Sequence, residues 1–236
     1  MLGISTFCLH DRPLDEVLGV LSGITDTVEV MNEARHTLRS PEVLESFSFS
    51  YSIHAPARGI NIASLHETVR KACVDVLIDS FRIAAEVGGT VVVHPGYFAW
   101  EVEREESLIA FKRSLSELST AAGDLGVRYF VENMGNWEYF FIRFPEEIPL
   151  IGDAGFALDV GHANLNGNLD AFLGVPIAHV HLHDNMGDTD THLAVGEGTV
   201  PFRKVMETVR KNRAVPVIEV ATYEGTLSSI RALDSM

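Results

Sequence analysis

The sequence predicts a closed (β/α)8 TIM barrel, a single α/β domain spanning residues 1–236. Three observations carry that prediction. Short apolar runs alternate with helix-patterned stretches along the whole chain, the order expected of a parallel sheet covered by helices. Eight such runs recur about every 30 residues, roughly one βα unit each. Most of them close on an ionisable side chain, and ten histidines are available to stand there. A parallel strand is buried on both faces and apolar throughout, so an imidazole or carboxylate at its C-terminal tip is presented where barrels build their sites.

The strand candidates are 2–6, 27–31, 49–54, 90–94, 127–132, 155–160, 177–182 and 215–220. Between the first two, Leu14, Val17, Leu18 and Leu21 repeat at the spacing of one helix face. Residues 64–87 are expected to open on a capping box of Ser64 and Glu67. Their apolar stripe is read as Leu65, Val69, Ala72, Val76, Ile83 and Val87, with Gly88-Gly89 as the stop. Residues 107–122 repeat the pattern with Leu108, Phe111, Leu115 and Leu118. In 32–48 and 143–154, Pro41, Pro145 and Pro149 break helix, predicting stunted helices there. A doubly wound open sheet is the competing architecture. It loses because no Gly-x-Gly-x-x-Gly turn follows the first strand.

Composition narrows the function classes. No apolar run approaches the ~20 residues that span a bilayer. Cys8 and Cys73 are too few and too scattered for a disulfide framework, so a reducing cytoplasm is the expected compartment. The formal charge is −15, from 18 Lys and Arg against 33 Asp and Glu. Three divalent ions would add +6 and still leave about −9. A nucleic-acid surface neutralises phosphates with Lys and Arg. Nothing here is denser than Arg203-Lys204 or Arg210-Lys211-Asn-Arg213, so a small-molecule substrate is expected rather than a nucleic acid or a membrane.

His54, His94, Glu132, Asp159, His181 and Glu219 close strands three to eight, which directs them to one face of the barrel. Any one of them alone is more simply a packed or hydrogen-bonded residue. Six together are not, because carboxylates flanked by Val, Leu and Ile are costly unless paired or metal-bound. Imidazole and carboxylate without thiolate suit Zn²⁺ or Mn²⁺, and one to three ions are expected. His162, Asp190 and His192 are further candidates on loops. His179, His181 and His183 alternate on one strand face; His181 is the expected ligand, with His179 one layer deeper and His183 nearer the rim. His10, His36 and His66 read as surface or helix positions.

Seven segments together resemble the xylose isomerase-like TIM-barrel superfamily, which includes ketose 3-epimerases and apurinic endonuclease IV. They are Ile53-His-Ala-Pro56, Val93-His-Pro-Gly96, Val131-Glu-Asn133, Leu158-Asp-Val-Gly-His162, Val180-His-Leu-His-Asp184, Asp190-Thr-His192 with Gly196-Glu-Gly198, and Ile218-Glu219. In the endonuclease branch the resemblance implies three zinc ions held by His54, His94, Glu132, Asp159, His162, His181, Asp190, His192 and Glu219. In the epimerase branch it implies one Mn²⁺-like ion on Glu132, Asp159, His181 and Glu219, the two glutamates also exchanging the substrate proton. The chain departs from both. The loops Asn32-Glu-Ala-Arg-His-Thr37 and Ala57-Arg-Gly-Ile-Asn-Ile62 are short and lack the aromatic wedge that opens DNA. No Arg follows closely on His181, where epimerases often hold substrate, and no Lys follows Glu132 as in true xylose isomerases.

The expected function is therefore metal-dependent isomerisation or epimerisation of a small sugar, sugar phosphate or related polyhydroxy compound. Glu132 and Glu219 are the expected catalytic carboxylates. Arg58, Asn61, Asn133, Trp137 and His183 are the expected substrate contacts, with Trp100 a further pocket candidate. Metal-dependent phosphoester hydrolysis is the alternative, since nine ligands exceed what proton transfer needs. A barrel that keeps its ligands as a non-catalytic module is the third reading.

Overall fold

Each strand pairs with the next in parallel and the eighth returns to the first, closing the barrel in the order β1 to β8. This computed structural model describes residues 2–236. The strands are β1 (Gly3–Ser5), β2 (Thr27–Met31), β3 (Ser50–His54), β4 (Thr90–Val93), β5 (Arg128–Glu132), β6 (Gly155–Asp159), β7 (His179–Leu182) and β8 (Val215–Ile218). Closure rests on Gly3 opposite Val217 and Ile4 opposite Ile218. All eight expected strands form, most of them a residue or two shorter than predicted. His94 and Glu219 therefore lie just past their strands rather than in them.

The helices are α1 (Leu14–Leu21), α2 (Glu42–Glu45), α3 (Glu67–Glu86), α4 (Arg104–Leu125), α5 (Val160–Leu165), α6 (Leu169–Phe172), α7 (Phe202–Asn212) and α8 (Tyr223–Asp234). The two stunted units are as expected: α2 is a single turn, and Pro145–Ile151 forms only a 3-10 helix. Helix α4 ends where Gly126 adopts φ 68°, a left-handed conformation that glycine takes without a Cβ clash. No helix among the described residues is long and apolar enough to cross a membrane.

Helix α3 departs from its sequence reading in two ways. Ser64 makes no capping box: its hydroxyl accepts from the His66 backbone N–H, and the helix starts at Glu67 without a side-chain cap. Of the expected stripe Ile83 is buried, but the rest of the buried face is rotated, to Arg70, Cys73, Val74, Leu77, Phe81 and Ala84, while Leu65, Val69 and Val76 are exposed. Arg70 explains the rotation. Its guanidinium is buried between α3 and α4, where it meets Glu67 at 2.9 Å and Glu117 at 2.7 Å and donates to Ser114 Oγ at 2.8 Å. A satisfied arginine can occupy a core-facing position that an apolar pattern cannot foresee.

The outer core packs helices against the barrel. Inside it, Val92, Phe130 and Ala157 form a separate small apolar cluster.

Candidate metal centre

Six strands deliver the expected side chains to one mouth. His54, Glu132 and Asp159 are the last residues of β3, β5 and β6; His181 is the third residue of β7; His94 and Glu219 follow β4 and β8 directly. His54, His94, Glu132 and Glu219 border a cavity of about 480 Å³ at the C-terminal face, together with Phe7, Met31, Met134, Trp137 and Phe140, while Asp159 and His181 are fully buried behind them.

Three carboxylates converge on one imidazole nitrogen. His181 Nδ1 is 3.4 Å from Glu219 Oε2, 3.5 Å from Glu132 Oε1 and 3.8 Å from Asp159 Oδ2. A second group shares Glu132, whose Oε2 is 3.3 Å from His54 Nε2 and 3.4 Å from His94 Nε2. A third is built on the loop after β7: Asp190 Oδ2 is 3.2 Å from His192 Nε2 and 3.4 Å from His162 Nε2. His183 Nε2 also comes within 3.9 Å of Asp190 Oδ1.

These residues fit divalent ions on two counts. Glu132 Oε2, His181 Nδ1, Glu219 Oε1 and Asp190 Oδ1 are buried without a hydrogen-bond partner among the described residues. Buried polar atoms are rarely left so unless something else satisfies them. Most separations are close as well: two ligands bonded at about 2.1 Å on one ion stand roughly 3.0–3.4 Å apart, near the 3.2–3.5 Å of most pairs here, with Asp159 wider at 3.8 Å from His181. Histidine orientation follows the same logic. Nδ1 of His54, His162 and His192 lies 3.0, 2.9 and 2.7 Å from the carbonyls of Ala55, Asn133 and Glu219. A carbonyl only accepts, so each Nδ1 carries the proton, leaving Nε2 of a neutral ring with a free lone pair facing the cluster.

Neighbouring charges set the protonation of these groups. Burial works to raise the Glu132 carboxyl, but His181, His94 and His162 outweigh it and hold it well below the usual carboxylate range. Burial likewise works against the imidazolium of His54, yet the Glu132 carboxylate, with Glu219 and Glu29 behind it, pushes the ring up to about 9. His192 is pushed up to about 9, where Asp190 and Glu219 overcome the same burial cost. Metal binding displaces such protons.

The loop that carries Asp190 and His192 is itself anchored. Asp184 is fully buried and accepts from the backbone N–H groups of Gly196, Gly198 and Val200 at 2.8–3.0 Å. Leu193 and Asp184 also exchange backbone hydrogen bonds.

Several expected substrate contacts have other partners. Asn133 is buried, accepts from the Asp159 N–H at 2.7 Å and donates to the Asp159 carbonyl at 3.0 Å, so it positions that ligand's backbone. Asn61 clamps Tyr97, donating to its carbonyl and accepting from its N–H, and does not line the cavity. His183 lies at no rim: it is fully buried, with Nε2 2.9 and 3.0 Å from the two Asp159 oxygens. Gly161 makes room for it, since a Cβ there would clash with the His183 ring. Arg58 and Trp137 do line the cavity, Arg58 beside Glu33 and Trp137 edge-on to His162. Trp100 is exposed and away from it. His36 is no surface residue; it is buried, bonded to Thr6 Oγ1 and the Arg12 carbonyl, and His10 is exposed at the mouth. The sequence reading passed over Glu29, whose signal is a lone carboxylate between Val28 and Val30 in an otherwise apolar strand.

A closed parallel barrel with imidazoles and carboxylates gathered at its strand tips defines a recognisable class. The chain belongs to the xylose isomerase-like TIM barrel family, whose pattern matches residues 32–234. It is 32% identical over 229 residues to an uncharacterized protein of Methanocaldococcus jannaschii, covering 93% of this chain and 91% of that one. It is 28% identical over 216 residues to a protein of Mycobacterium leprae named probable endonuclease 4, covering 84% and 83%. A solved structure described as a D-tagatose 3-epimerase-like protein superposes with a TM-score of 0.90 at 31% identity, over 99% of this chain and 96% of that one.

Proposed function

We propose that the protein is a divalent-metal-dependent isomerase or epimerase acting on a small sugar, sugar phosphate or related polyhydroxy compound. The observation that carries this reading is the convergence of Glu132, Asp159 and Glu219 on the partnerless Nδ1 of His181. Those four residues would hold one Zn²⁺ or Mn²⁺. A bound ion supplies Lewis acidity to two adjacent substrate oxygens.

The protein's own groups then move the proton. Glu132 and Glu219 come from β5 and β8, and both reach the same imidazole nitrogen. A substrate carbon held between them loses its proton to one glutamate and regains one from the other on the opposite face. The Met134, Trp137 and Phe140 side of the cavity excludes water from that step. The acidic chain and the short loops after β2 and β3 favour a small substrate over a polyanionic strand. The epimerase-like description of a 31% identical structure supports the same chemistry.

The test is solvent-deuterium incorporation at the carbon beside the carbonyl in a ketose panel, with zinc- or manganese-loaded protein. Label in at least one sugar, lost in Glu219→Gln, is the expected result. A second reading, metal-dependent phosphoester hydrolysis, is favoured by the third group on His162, Asp190 and His192, and by the likeness to probable endonuclease 4. Abasic-DNA nicking by the same preparation tests it.

A further inference from the structure

Glu29 stands below the metal centre, in the middle of β2 and opposite Ser52 in the register with β3. Its carboxylate is fully buried and reaches across the barrel interior to β7. Oε2 accepts from Ser52 Oγ at 2.7 Å and lies 2.8 Å from His179 Nε2. Oε1 lies 2.8 Å from His181 Nε2, the nitrogen opposite the one that faces Glu132, Asp159 and Glu219. Glu29 Oε1 and both Nε2 atoms are buried without an aligned hydrogen bond among the described residues.

We propose that Glu29 is the positioning residue of the metal centre: its carboxylate accepts from the Nε2–H of His181, keeps the proton on that nitrogen, and thereby aims the Nδ1 lone pair at the three carboxylates. The inference rests on the metal-centre reading and adds to it a residue outside the ligand set. A proton, not another ion, belongs between these groups. At 2.8 Å they stand closer than the roughly 3.0–3.4 Å expected of two ligands on one ion, and at the length of a charge-assisted hydrogen bond. A neutral imidazole has one N–H and one lone pair, so the group that holds the proton decides which nitrogen can bind metal. His179 completes the arrangement. Its Nε2 meets the other carboxylate oxygen beside Ser52, and its ring stacks on Phe130 at 5.6 Å. One carboxylate thus has three donors available from β3 and β7, as a buried anion requires.

The experiment uses the full chain, zinc alone as probe, and two readouts besides activity. Long-range proton–nitrogen spectra of the zinc-loaded wild type should show His181 protonated at Nε2 and coordinated through Nδ1. Chelator competition should show zinc affinity at the centre reduced about 10- to 100-fold in Glu29→Ala. Glu29→Gln, which keeps the length and one acceptor oxygen, should lose less affinity and covers the case in which the alanine variant fails to fold. The stoichiometry at saturating zinc should be the same in all three proteins. A His181 proton on Nδ1, or unchanged affinity in both folded variants, overturns this inference alone. So does loss of one equivalent of zinc in the variants, which would make Glu29 a ligand. A wild type that binds no zinc overturns the metal-centre reading and this inference together.

Discussion

The inner and outer ligand groups are built differently. Glu132, Asp159, His181 and Glu219 stand at strand tips and are essentially buried, held by the barrel's own hydrogen-bond ladder. Asp190 and His192 stand on a loop, 18% and 16% exposed, and His192 holds φ 46°, a left-handed conformation that is uncommon for a residue other than glycine. A strand tip gives the placement that proton transfer needs, whereas Asp190 and His192 stand on a loop that Asp184 anchors from below and that is partly exposed to what binds above it. On the proposed function, the contrast assigns the proton-transfer chemistry to the inner group and contact with what binds above it to the outer group.

The largest expected effect comes from Glu132, which the inner group shares with the His54 and His94 pair. Glu132→Gln should release metal and lower activity by on the order of 10³ or more, since one change removes a ligand and a proton carrier. Metal analysis alongside turnover checks this; full occupancy with full activity would break the comparison at its inner half. Asp190→Ala should act differently, raising KM about 10-fold while the inner ion is retained, the pattern of a lost ground-state contact. Loss of bound metal together with abolished turnover would instead make the outer group part of a hydrolytic centre.

Asn133→Ala sharpens the view that the inner group depends on its backbone supports. Removing two buried hydrogen bonds to Asp159 should cost about 1–3 kcal/mol of stability, read by denaturant unfolding, with weaker metal binding.

A further effect is one of pH, and it bears on both groups. His54 and His192 are each held up at about 9 in the metal-free fold against an ordinary 6.5. Their contribution to stability is therefore complete below pH 6.5 and is lost as pH rises through about 9. Unfolding in the presence of a chelator should show that decline. With zinc bound the trend should reverse, because ions displace those protons more easily as pH rises.

Much of this was legible in the sequence, and the exceptions share a cause. His54, Glu132 and Asp159 could be placed because an apolar run that ends in a charge fixes both the strand and its tip. Direction within a layer cannot be read that way. His183 shares a strand face with His181 and reads as a rim residue, yet the space above Gly161 turns it inward onto Asp159. Glu29 sits mid-strand, where nothing in its neighbours reveals that β7 lies across the barrel with two imidazoles. The same blindness rotated α3: Leu65, Val69 and Val76 set a plausible stripe, and only the Glu117 and Ser114 partners on α4 show why Arg70 belongs inside.

Proton transfer by the inner carboxylates on a small polyhydroxy substrate is the step on which everything proposed for this site rests. Its most direct measurement is a paired assay on one zinc- or manganese-loaded preparation, following deuterium uptake from solvent into a ketose panel and nicking of an abasic-site duplex at physiological salt. Deuterium is expected at the carbon next to the carbonyl of at least one sugar, abolished by Glu219→Gln, with no efficient nicking. Efficient nicking, with three tightly held zinc ions and no exchange into any sugar, would contradict it.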